Sequence, residues 1–174
     1  MSSQQCSLFD EQTSDETVSK RLILDTTKAF PTITDAVNKT ALYVRLHDVV
    51  IDEIDEKDDT GKRRLRFCAP SANGIFDRID AAVKAQLRDK VIQNQLVDDH
   101  VLSTAFIPSA SSSGLFNAKL PPTDNTSLKT LTIKREIATL YITPAVYVLS
   151  DLRVGVAYQV RAILFKNNEK VVVI

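Results

Sequence analysis

The chain has 174 residues, 44% hydrophobic and 25% charged, enough for one domain with a substantial core and too few for two of ordinary size. No apolar run approaches the roughly 20 residues of a bilayer-spanning helix, so a soluble protein without a membrane partner is expected. Lysine plus arginine equals aspartate plus glutamate, 22 against 22, which excludes a strongly basic protein that coats nucleic acid by bulk charge.

The opening residues lack the basic and apolar regions of a secretory signal, so an intracellular location is expected, the cytoplasm or nucleus of a host cell if the chain is viral. Cys6 and Cys68 build neither a disulfide framework nor a CxxC pair, and Cys68 reads as a core residue. Residues 1–20 are Ser, Gln, Thr, Asp and Glu with little to bury. They read as a flexible polar tail ahead of one β-rich domain over 21–174.

Arg21 to Asp25 suits a short strand, and Thr32 to Val37 a helical turn or loop. From Ala41 to Ile51, Leu42, Val44 and Leu46 alternate with Tyr43, Arg45 and His47, the period of a strand with one buried face. An acidic stretch ends in the turn signal Asp59-Thr-Gly61, and Arg63 to Cys68 alternates again, so residues 41–68 predict a long hairpin. Ser71 and Asn73 are placed to cap a helix over about 75–95, in which Phe76, Ile79, Val83, Leu87 and Val91 recur at helical spacing. Pro108, a serine run, Gly114 and Pro121-Pro122 predict a long loop over 108–127.

Four β segments follow, over 127–137, 139–143, 145–149 and 156–165, and then a turn at Lys166 to Glu169. The terminal Lys170-Val-Val-Val-Ile174 either pairs inside the sheet or leaves an edge that recruits another chain, so a homo-oligomer is possible. The last third is mildly basic, with seven cations from Lys129 to Lys170 against four acids.

Catalytic machinery is not recognisable. His47 and His100 stand in no metal spacing, and four glycines exclude the glycine-rich phosphate loops. No GxSxG elbow occurs. The carboxylates between Asp52 and Asp59 suit a hard cation in type but lack the spacing of an EF-hand, and read as a solvated hairpin tip. A non-enzyme without cofactor or metal is expected.

Binding of single-stranded nucleic acid needs π-faces for bases and cations for phosphates. The outward strand positions supply both, although the same residues suit an ordinary solvated face. The helix Phe76-Asp-Arg-Ile79-Asp80 after a Pro and Gly strand end, followed by Leu152-Arg-Val-Gly155-Val-Ala-Tyr158-Gln-Val-Arg-Ala-Ile-Leu164 and a final strand, resembles the single-stranded-DNA-binding proteins of phages and large DNA viruses. The similarity spans about residues 41–174 in order of elements.

The resemblance implies a mainly β fold with one clear α-helix, an α+β chain whose antiparallel sheet forms an OB-type or related barrel. It implies single-stranded DNA as partner, as in DNA replication, with Tyr43, Arg45, Arg64, Arg66, Lys134, Tyr147, Arg161 and Phe165 in groove roles. The rival expectation is a structural or assembly subunit, viral or cellular, that self-associates through its C-terminal strand.

Overall fold

A computed structural model of the chain describes residues 8–27, 31–37, 39–55, 63–92, 94–120, 135–149, 151, 153–166 and 171–173. It is mainly β. The chain enters through β1 (Leu8–Asp10), α1 (Asp15–Arg21), β2 (Leu22–Asp25) and β3 (Thr32–Asp35), so residues 8–20 are structured and not a tail. Phe9 and Val18 are fully buried. The polar groups around them are satisfied from a distance: the Arg78 guanidinium donates to the Glu11 and Thr13 carbonyls and pairs with Asp15. Ser14 caps α1 by accepting from the Thr17 N–H. Thr32–Asp35 is a strand, contrary to the helical turn or loop expected, because it pairs antiparallel with β2.

The remaining strands are β4 (Tyr43–Asp55), β5 (Arg63–Cys68), β6 (Lys90–Ile92), β7 (Gln95–Val97), β8 (Phe106–Ile107), β9 (Leu115–Leu120), β10 (Ile137–Val148), β11 (Val154–Phe165) and β12 (Val171–Val173). Five of them close into a barrel in the circular order β4–β5–β9–β11–β10–β4. Four junctions are antiparallel and one, β9 with β11, is parallel. β1 and β8 also add in parallel, to β4 and β11, so the sheet is mixed.

Closure is achieved by bulges. Asp48 takes a left-handed conformation (φ 51°), and there the β4–β10 register shifts. The buried series Leu42, Val44, Leu46 therefore resumes at Val49 and Ile51. A second shift falls between Ile51 and Glu53 against β5, and a third at Arg161 in β11.

Helix α2 (Asn73–Leu87) follows a 3-10 turn at Pro70–Ala72 and buries Ile75, Phe76, Ile79, Val83 and Leu87. It ends eight residues before the predicted limit of 95, because Asp89 (φ 61°) breaks it and Asn94 (φ 63°) turns the β6–β7 hairpin. Neither Ser71 nor Asn73 caps it. A second short helix, α3 (Asp99–Thr104), is capped by Asp98.

The expected 108–127 loop contains β9, paired along its length with β5; residues 108–114 before it are irregular, and 121–127 lie outside the described residues. The segments read at 139–143 and 145–149 are one strand, β10, running through Pro144. Cys68 is half-buried on the outer side of β5, in register with Leu115, because Leu65 and Phe67 take the inward phase.

The N-terminal unit is locked by one ion pair. Asp35, fully buried, pairs with Arg21 and accepts the Val37 N–H at 2.8 Å. Breaking a buried pair leaves an uncompensated charge. Asp35→Ala is therefore expected to cost about 3 kcal/mol in urea unfolding; a cost below about 1 kcal/mol would mean that Arg21, 22% exposed, simply returns to water.

Candidate nucleic-acid interface

The register sets side chains of four strands in one transverse row, accessible on β5, β9 and β11 and buried at Thr143 on β10. Arg64 on β5 stands opposite Lys119 on β9, Lys119 opposite Gln159 on β11, and Gln159 opposite Thr143 on β10. Arg161, the bulged residue, reaches the same row, its Nε donating to Thr143 Oγ1 at 3.1 Å. No acid interrupts the row from β5 to β10, and Arg64, Lys119 and Arg161 have no ion pair among the described residues. Among the described residues, acids border it only at β4, where the register sets Glu53 opposite Arg66 and Asp55 opposite Arg64.

Tyr147 flanks the row. It stands opposite Gly155, and a Cβ added to Gly155 would meet the Tyr147 hydroxyl at 2.5 Å, so the hydroxyl end of the ring packs onto the glycine. A side chain at 155 would lift the ring off the sheet. Beside it opens a cleft of about 450 Å³ lined by Arg64, Asn117, Lys119, Tyr147, Leu149 and Ala157. An adjoining cleft of about 510 Å³ runs inward from Arg64, Asn117 and Tyr147 to Ser109, Phe116 and Tyr158.

α2 and the serine loop form the floor of this region. Asp80, 5% exposed, accepts from the Ser109 N–H and hydroxyl, each at 2.7 Å. Two turns earlier Asn73 exchanges two bonds with the backbone of Ser111. The serine run is thus clamped to the helix. Burial pushes the Asp80 carboxyl above its ordinary value, opposed by the two Ser109 bonds and the Lys84 charge. Burial and then the Asp80 charge raise Tyr147 as well, against Arg153, and raise Tyr158 well above a normal phenol.

The sequence-predicted residues divide. Arg64 and Tyr147 share the cleft, and Arg161 belongs to the same row. Tyr43 and Arg45 stand on β4 beside β1, where Arg45 faces Asp10 at 3.7 Å. Arg66 is held by Glu53 at 2.6 Å.

Phe165 is a correction: it is 1% exposed and belongs to the core. An unbroken strand would set Arg161, Ile163 and Phe165 on one face, but the bulge at Arg161 sends Ile163 and Phe165 inward. Lys134 lies outside the described residues, as does the hairpin tip from 56 to 62. Lys119, Asn117 and Gln159 were not singled out by sequence. For Asn117 and Lys119 the signal was the alternation Phe116, Ala118, Leu120 inside a stretch that prolines and serines mark as loop.

No protein-family model, no curated protein and no solved structure matches the chain. A functional reading therefore rests on the geometry.

Asp80 gives that geometry a pH test. Its folded pKa is raised, so any stability it contributes is present below the unfolded value and is lost as pH rises through the folded one. Asp80→Asn keeps an acceptor for the Ser109 N–H and a donor toward its hydroxyl. Thermal melts should find this variant at least as stable as the parent at neutral pH, with the margin shrinking as pH falls toward about 4. A variant clearly less stable at pH 7 would show that the carboxylate's bonds outweigh its burial.

Proposed function

We propose that the chain binds single-stranded DNA, without catalysis, across the outer face of β5, β9, β11 and β10, and that its barrel is of OB type. The observation that carries this reading is the row Arg64, Lys119, Gln159, Thr143 with Arg161, basic and free of acids, beside an aromatic ring packed on the sheet. Cations spaced along such a row suit successive phosphates, and Tyr147 offers a face to a base.

The barrel strands, counted in chain order, close as 1-2-3-5-4, and the row begins on the second and third. OB-type barrels bind oligonucleotides on those two strands and on the loops joining strands 1 to 2 and 4 to 5. Arg66, already paired, has the weaker claim to a phosphate. Replication is the process in which such binding would serve.

Fluorescence anisotropy with labelled single-stranded and duplex oligonucleotides across a salt series tests this. A salt-sensitive preference for the single strand is expected, since each phosphate neutralised releases counterions. Replacing Arg64 and Lys119 together by Ala should weaken binding and reduce the salt slope by roughly 1.4, about 0.7 per contact. Stability should stay within about 0.5 kcal/mol, because both substitutions are on the surface. An unchanged slope would remove these residues from the interface. Gly155→Ala should lower affinity by displacing the Tyr147 ring while leaving the slope intact.

A second reading, self-association, has one observation in its favour. β12 pairs with β11 on one side, and its other edge meets no strand among the described residues. Light scattering distinguishes the two, since apolar strand-mediated assembly holds or tightens with added salt while phosphate binding weakens.

A further inference from the structure

Arg161 has no opposite residue on β10. Val160 stands across from Ile142 and Ala162 across from Tyr141, and Arg161 is the extra residue between them. Val160 and Ile163 stay fully buried on either side of it. The bulge therefore adds a cation outside the barrel and removes nothing from its lining. Re-aiming a side chain is a recurrent use of bulges next to functional sites.

The guanidinium so placed is also anchored. Its Nε donates to Thr143 Oγ1 at 3.1 Å, and Thr143 is 7% exposed. An arginine carries five N–H donors. With Nε engaged, the four on the two terminal nitrogens have no partner among the described residues, and neither nitrogen is sealed from solvent. Arg66, Arg88 and Arg153 are instead held by carboxylates, which offset their charge as they fix it. A neutral hydroxyl fixes Arg161 and leaves its charge whole.

Resting on the reading above, we infer that Thr143 is a positioning residue: it pre-orients Arg161 so that the two terminal nitrogens grip one backbone phosphodiester as a fork, two N–H bonds to two oxygens of the same phosphate. Arginine and phosphate match in that geometry, and lysine binds phosphate only as a point charge. A long side chain ordered before the ligand arrives spares binding the cost of ordering it. Arg161 is then the fixed point of the row, and sets where a phosphate sits relative to Arg64 and Lys119.

The test is a double-mutant cycle on labelled oligo-dT, by anisotropy across a salt series, with the parent chain, Thr143→Val, Arg161→Ala and the two combined. Arg161→Ala should weaken binding and lower the salt slope by roughly 0.7, one phosphate contact. Thr143→Val, similar in shape without the hydroxyl, should weaken binding roughly three- to tenfold, the cost of ordering one long side chain, with the slope unchanged. Added to Arg161→Ala it should change nothing, because the two residues act as one unit. Thr143→Ser, which keeps the hydroxyl, should bind as the parent does. Should Thr143→Val fail to fold, Arg161→Lys gives the same readout: the slope is kept and the affinity falls by a similar factor.

A loss from Thr143→Val that is the same with and without Arg161, no loss at all, or Arg161→Lys binding as tightly as the parent overturns the inference and leaves the outer face standing. Failure of the parent chain to bind at low salt overturns both.

Discussion

β4 must serve three neighbours, and the barrel depends on its doing so. Its first part pairs with β1 on one side and β10 on the other, and its last part pairs with β5. At about 3.4 Å per residue, thirteen residues span roughly 44 Å, too long to lie straight along one small barrel. The left-handed turn at Asp48 and the shift between Ile51 and Glu53 bend the strand and reset which side chains face inward. Without these bulges Leu46 and Val49 would lie on opposite faces. With them a single apolar lining continues from Leu42 to Ile51.

The second organiser is α2, which acts through polar side chains as much as through its apolar stripe. Gln86 accepts from the Leu24 N–H and donates to the Leu22 carbonyl, as a neighbouring strand would. Arg78 closes the turn after β1, Asp80 holds Ser109 and Asn73 holds Ser111. Each bond satisfies a backbone group that an irregular segment would otherwise bury unpaired. One helix thereby fixes the N-terminal unit and the serine loop together, and with them the floor of the cleft.

These devices explain what the sequence disclosed. The alternation in Tyr43 to Leu46 and Arg63 to Cys68, the strand at Leu22 to Asp25 and the helical stripe from Phe76 to Leu87 are local patterns, and each corresponds to an element. Bulges are not local patterns of that kind. Arg161 looks like any alternating residue until its partners are known, which is why Phe165 read as outward.

The N-terminal segment read as disordered because its composition shows only the cost of ordering it. The offsetting bonds come from Arg78, more than sixty residues away. β9 was hidden by flanking serines and prolines, and with it went Lys119.

Zero net charge bears on the proposed interface less than the total suggests, because exposed charges interact over about 10 Å at ordinary salt. What matters is where each cation's counter-charge sits. Arg66 is matched by Glu53, Arg78 by Asp15, Arg88 by Asp99 and Lys166 by Asp48. Arg45 faces Asp10 beneath β1.

The acids are thus largely engaged on the β1 side, at the β4 margin and along the helices. Among the described residues, Arg64 on β5, Lys119 on β9 and Arg161 on β11 stand without an ion pair. A chain of balanced composition can in this way carry a one-signed face, and a face of three or so cations fits a protein that holds a strand by phosphate contacts and stacking together, not by charge alone.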